Sequence, residues 1–86
     1  MVPYNVEVTM KDGSEPREVE VSIGALIDWE DANPDMTFRE WSLKQTFKGL
    51  AQLGYYSLKH SGAVVKPFKD FYPAVKEVRL VPKDDE

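Results

Sequence analysis

The first apolar pattern along the chain has a period of two. Tyr4, Val6, Val8 and Met10 alternate with Asn5, Glu7 and Thr9, the signature of a strand with one buried face. Lys11-Asp12-Gly13-Ser14 follows, and its Asp-Gly pair is a turn dipeptide that accepts positive φ. Arg17-Glu18-Val19-Glu20-Val21 then alternates again. Together these predict a β-hairpin over 4–21, with Val19 and Val21 on one face and Glu7, Glu18 and Glu20 in solvent. Two strands are marginal alone in water, so the hairpin needs something to pack on.

Beyond residue 22 the period becomes helical. Ser22 can cap a short helix over 23–32, with Ile23, Leu26, Ile27 and Glu30 on one face and Trp29 beside it. Asn33-Pro34 ends it, because a residue before proline avoids the helical region. Asp28, Glu30, Asp31 and Asp35 crowd its C-terminal end, where the helix dipole disfavours negative charge. Thr37-Phe38-Arg39-Glu40 reads as a capping box. It predicts a long central helix over 38–60, closed by Ser61-Gly62. At about 100° per residue, Leu43, Phe47, Leu50, Ala51, Gly54 and Leu58 form one apolar stripe of that helix. Phe38, Gly49, Leu53 and Tyr56 form a second, and Lys44, Lys48, Gln52 and Lys59 lie opposite, with Trp41 and Tyr55 among them.

Pro67 opens a third helix, over 67–77, in which Phe68, Phe71 and Val75 keep helical spacing and Pro73 kinks or shortens the run. Val78-Arg79-Leu80-Val81 predicts a short strand, and 82–86 an acidic tail. The expected architecture is one α+β domain over 1–86. An N-terminal hairpin is followed by a mainly helical bundle and a short C-terminal strand.

Eighty-six residues suit one such domain, and 42% apolar content with two Trp, four Tyr and four Phe supplies a core. No apolar stretch is long enough to span a membrane. The absence of Cys removes disulfides and thiolate metal sites, and a cytoplasmic protein is the expectation. The net charge of −4 hides an asymmetry. Residues 1–35 hold two basic side chains against nine acidic ones, whereas residues 36–86 hold nine against six. Such a chain pairs its halves internally or presents two faces of opposite sign.

Catalytic chemistry finds little to work with. A domain this small seldom encloses a pocket, and no glycine pattern cradles phosphate. His60 is the only imidazole. It stands at a predicted helix end, where a cation suits the dipole, and has no second His or Cys to complete a metal set. Asp28, Glu30, Asp31 and Asp35 lack the spacing of a calcium loop. Lys44, Lys48 and Lys59 with Trp41 and Tyr55 resemble a single-strand nucleic-acid surface, but the acidic chain weakens attraction to phosphate. The same residues suit a protein partner, and Trp41 packed under the hairpin serves equally well. No enzyme, cofactor or metal is expected. An interaction module is.

The order of elements also carries a resemblance. A hairpin with an Asp-Gly turn leads into an acidic helix with Trp29-Glu30. Then come Leu50-Ala51-Gln52-Leu53-Gly54-Tyr55-Tyr56-Ser57-Leu58-Lys59-His60-Ser61-Gly62, Pro67-Phe68-Lys69-Asp70-Phe71 and Val75-Lys76-Glu77-Val78. Across most of 5–82 this resembles the tail assembly chaperones of long, flexible-tailed phages. The resemblance implies a non-enzymatic protein absent from the finished virion. Such proteins coat the tape measure protein, keep it soluble and help tail-tube subunits polymerise around it. They often self-associate, and the acidic end at Asp84-Asp85-Glu86 suits their short form. Leu53, Tyr56 and Phe38 would then bind the client or another subunit, with Trp41 and Tyr55 also candidates. A small regulatory or anti-defence adaptor that binds one host protein is the alternative.

Overall fold

The computed structural model describes residues 4–83. Alternation in the hairpin builds β1 (Tyr4–Met10) and β2 (Arg17–Glu20), paired antiparallel with Val6 opposite Val19. Gly13, at φ 86°, makes the turn between them, a conformation glycine adopts without steric penalty. The C-terminal strand β3 (Val75–Pro82) pairs antiparallel with the other side of β1, Val6 facing Leu80 and Val8 facing Val78. The sheet order is therefore β2-β1-β3. Thr9 pairs with Glu77 and Met10 with Val75, leaving Lys76 as the extra residue of a bulge.

Four helices complete the fold: α1 (Ile23–Ala32), α2 (Phe38–Leu43), α3 (Phe47–His60) and α4 (Phe68–Phe71). Ser22 caps α1 by accepting from the Ala25 N–H, and Thr37 with Glu40 forms the capping box of α2. The α+β architecture is the expected one, but three boundaries differ.

The predicted 38–60 helix is two helices. Lys44 leaves the helical region at φ −136° and ψ 65°, its N–H held by the Trp41 carbonyl. Thr46 then caps α3, its hydroxyl accepting from the Gly49 N–H at 3.1 Å. The predicted 67–77 helix stops at Phe71, and Tyr72–Ala74 is a 3-10 turn with Pro73 in its first positions. Proline cannot donate to an α-helical ladder. From Val75 the chain enters the sheet, so the C-terminal strand is eight residues long and has absorbed Pro82 of the predicted tail. Asp84, Asp85 and Glu86 lie outside the described residues.

α3 lies at the centre, packed on α1 and all three strands. Its buried residues are Gly49, Gln52, Leu53, Gly54, Tyr55, Ser57 and Leu58. One core cluster gathers Val6, Val21, Trp29, Trp41 and Leu53; a second gathers Val8, Tyr55, Leu58 and Phe71. Burying such side chains stabilises by about 1.5–3 kcal/mol each.

The charge asymmetry resolves into contacts between the two halves of the chain. Glu7 accepts from Arg79 Nε at 2.7 Å, Glu20 meets Lys83 Nζ at 3.4 Å, and Asp28 meets His60 Nε2 at 2.7 Å. Antiparallel pairing sets Glu7 directly opposite Glu18, an unfavourable juxtaposition. Arg79, arriving from β3, offsets it, and Glu18 also accepts from Asn5 Nδ2 at 2.8 Å. The crowded acidic end of α1 uses Glu30 as well, whose carboxylate accepts from the Phe38 N–H at 2.9 Å at the start of α2. Among the described residues, no ion pair involves Lys44 or Lys48. The acidic N-terminal half is instead matched by β3, by His60 and by a helix start.

Candidate functional site

The five residues marked from sequence as partner-binding sit in or against the core. Trp41 is 1% exposed and Leu53 is fully buried. Trp29, Phe38 and Trp41 form a triad with ring centroids 5.3–5.4 Å apart. Trp29 Nε1 donates to the Gly49 carbonyl at 2.9 Å, and Trp41 Nε1 donates to Thr46 Oγ1 at 3.3 Å. Tyr55 is buried among Tyr56, Phe68 and Phe71, at centroid distances of 5.1–5.4 Å, with Lys59 Nζ 5.9 Å above its ring. Phe38 and Tyr56 are half-buried against these clusters. Burial pushes the Tyr56 phenol above its ordinary range, with the carboxylates of Asp28 and Asp31 adding to the effect. Trp41, Leu53 and Tyr55 are corrected as docking residues by their burial, whereas Phe38 and Tyr56 keep part of their surface in solvent. The break before α3 turns Trp41 inward, and the sheet covers the stripe that holds Leu53.

The accessible apolar surface lies elsewhere. Phe47 is 93% exposed, Leu43 83% and Tyr72 52%. Phe47 and Tyr72 line an open groove of about 730 Å³ between the N-terminal half of α3, the α4 segment and the start of β3. Leu50, Ala51, Phe68, Val75 and Val78 complete its apolar walls; Lys48, Lys76 and Glu77 are its charged members. Thr46 positions Phe47, since the cap makes Phe47 the first helical residue, beyond the part of α3 that packs on the sheet. Pro73 positions Tyr72 by diverting α4 into a 3-10 turn. An aromatic side chain left in water forfeits most of its burial energy. A contiguous exposed apolar patch of this kind marks a binding surface.

The sequence pattern included Phe47 in an apolar stripe without distinguishing it from buried members. The available signal was Thr46, a good N-cap residue directly before it. A second hollow, of about 450 Å³, lies between the hairpin turn and the 63–74 segment, where Asp12, Glu15, Arg17, Lys66 and Asp70 mix with Met10 and Phe71. Ser14 holds the Asp12 carboxyl below the usual range there, through its side chain and through its N–H, which donates to Asp12.

His60 closes α3 and spans to Asp28 on α1, tying two helices together. Among the described residues no group of three or more His, Asp or Glu is placed to hold a metal ion. No described helix is long and apolar enough to cross a membrane. The groove presents aromatic walls and two lysines. Compared with protein-family models, curated proteins and solved structures, the chain finds no match.

Proposed function

We propose that this protein is an assembly chaperone that lends an apolar groove to a helical protein client. In its specific form, the client is the tape measure protein of a long, flexible-tailed phage, held soluble in the host cytoplasm while tail-tube subunits polymerise around it. The observation that carries this reading is the exposure of Phe47 and Tyr72 on the walls of one open groove. Lysines at its border suit a client helix whose apolar stripe is flanked by carboxylates. The order of motifs along the chain supports the phage assignment.

The test is co-expression with a tape measure protein followed by affinity capture. F47S/Y72S removes the two exposed aromatic side chains of the groove, so the variant keeps its fold by circular dichroism. Capture of the client should then be lost. Undiminished capture by the folded double variant would reject the groove as the client site. Capture of no tape measure protein by the wild type would reject the phage reading and favour an adaptor for a host protein.

A further inference from the structure

We propose that β3 is also a self-association strand, pairing antiparallel with β3 of a second copy about Val78. In the sheet order β2-β1-β3, one side of β3 bonds to β1 and the other is, among the described residues, an open edge. Open edges of this length recruit a further strand unless they are guarded. Here Pro82 guards only the far end, and the Lys76 bulge only the near one. Between them run Glu77, Val78, Arg79, Leu80 and Val81, every second one of which turns its N–H and C=O to the open side, where a new ladder can form.

Charge selects the partner and the register. Glu77 and Arg79 are two apart along the strand and so share one face of the sheet. Pairing about Val78 sets each Glu77 opposite Arg79 of the second copy, twice by symmetry. Val78 meets Val78, and Lys76 lays its stem beside Leu80. Moving the axis to Arg79 would set arginine against arginine, and moving it to Glu77 would set glutamate against glutamate. Both alternatives place like charges directly opposite. The strand is therefore complementary to itself in the register about Val78.

Both charged groups are available for this contact. Glu77 is exposed and forms no ion pair among the described residues. Arg79 bonds Glu7 through Nε alone, at 2.7 Å, with 60% of its side chain exposed, leaving the terminal nitrogens of the guanidinium free to reach a second carboxylate. A two-fold axis through Val78 perpendicular to the sheet puts both helix layers on the same side. The two grooves then open onto one trough above the seam, long enough to hold more of a client helix than either groove alone.

Sedimentation equilibrium on the isolated full chain, from about 1 µM to about 1 mM, tests this without any client. Wild type should be a reversible dimer within that range. E77R places arginine opposite Arg79 of the second copy and R79E places glutamate opposite Glu77. Each should weaken dimerisation roughly tenfold or more, as two attractive pairs become repulsive. An equimolar mixture of the two variants should regain the dimer as a heterodimer, because every cross-strand pair is then opposite in charge. Amide exchange supplies a second reading, with protection at Glu77–Val81 rising with concentration while the β2 edge is unchanged. A chain that is monomeric throughout, a dimer that E77R leaves unaltered, or a mixture that does not recover association would overturn the proposal. Any of these outcomes leaves client capture by the groove standing, since that is read separately.

Discussion

Gly49→Ala is the most demanding test of how the core is assembled, because two effects of opposite sign compete. Glycine inside a helix costs about 1 kcal/mol relative to alanine, so propensity alone predicts stabilisation. The tertiary structure predicts the reverse. A Cβ on Gly49 would lie 2.2 Å from Trp41 Nε1 and 2.7 Å from Cε2. Ordinary contact begins near 3.4 Å, so the indole must retreat by about 1.2 Å, the difference between 3.4 and 2.2. It has nowhere to go. Trp41 is 1% exposed and confined by Trp29 and Phe38 at centroid distances of 5.4 and 5.3 Å. Overpacking costs about 1–3 kcal/mol, rising to about 3–5 kcal/mol if the indole is expelled. The net loss should be about 2–3 kcal/mol, or a fall in Tm of roughly 10–20 °C for a domain of this size.

Gly24→Ala supplies the control. Its Cβ would meet the His60 ring at 2.6 Å, an equally short approach on paper. That ring ends a side chain 37% exposed, so it can swing into water at the loss of an Asp28 contact worth about 0–1 kcal/mol. Stability should change by less than about 0.5 kcal/mol. Urea unfolding followed by the fluorescence of Trp29 and Trp41 measures both variants. The reasoning is refuted if G49A unfolds at or above the wild-type midpoint, or if G24A falls as far as G49A. In addition, W41F should relieve part of the G49A loss, visible as coupling in a double-mutant cycle.

Three further outcomes are expected. T46A removes the cap of α3 and the acceptor for the Trp41 indole, and should cost about 1–2 kcal/mol; a loss under ~0.3 kcal/mol in the same urea assay would show that the break between α2 and α3 does not depend on that hydroxyl. Ser57 is fully buried and its Oγ has no hydrogen-bond partner among the described residues, so S57A should raise stability by about 1 kcal/mol, and a fall would mean that the hydroxyl is satisfied. Tyr56, whose phenol is raised above 10.0 chiefly by burial, leaves the folded state holding more protons than the unfolded state above about pH 10. Stability should be unaffected below that pH and decline beyond it, and Y56F should show a shallower alkaline decline.

The hairpin, the caps and the helix starts were legible because they are local. Alternation, Asp12-Gly13, Ser22 and the Thr37–Glu40 box each act within a few residues, where chemistry and geometry coincide. The division between α2 and α3 was not legible. Thr46 competes with a helical pattern that runs through it, and the inward position of Trp41 is visible only once Gly49 is seen to receive it. Val75 keeps helical spacing from Phe71 and is out of phase with the alternation of Val78 and Leu80, entering the strand only through the bulge at Lys76. Pro73 and the free side of β1 decided between helix and strand.

Sequence alone determined the class of this protein: a small α+β domain, acidic and without cysteine. Which aromatic side chains face outward was decided only by the tertiary structure. Trp41, Leu53 and Tyr55 entered the core because α3 is enclosed by the sheet, α1 and α4, whereas Phe47 and Tyr72 stand where a cap and a proline divert the chain from its packing surface. Periodicity records that a side chain is apolar and which side of its own element it occupies. It does not record whether another element arrives to cover that side, because such coverage depends on contacts between residues far apart in the chain.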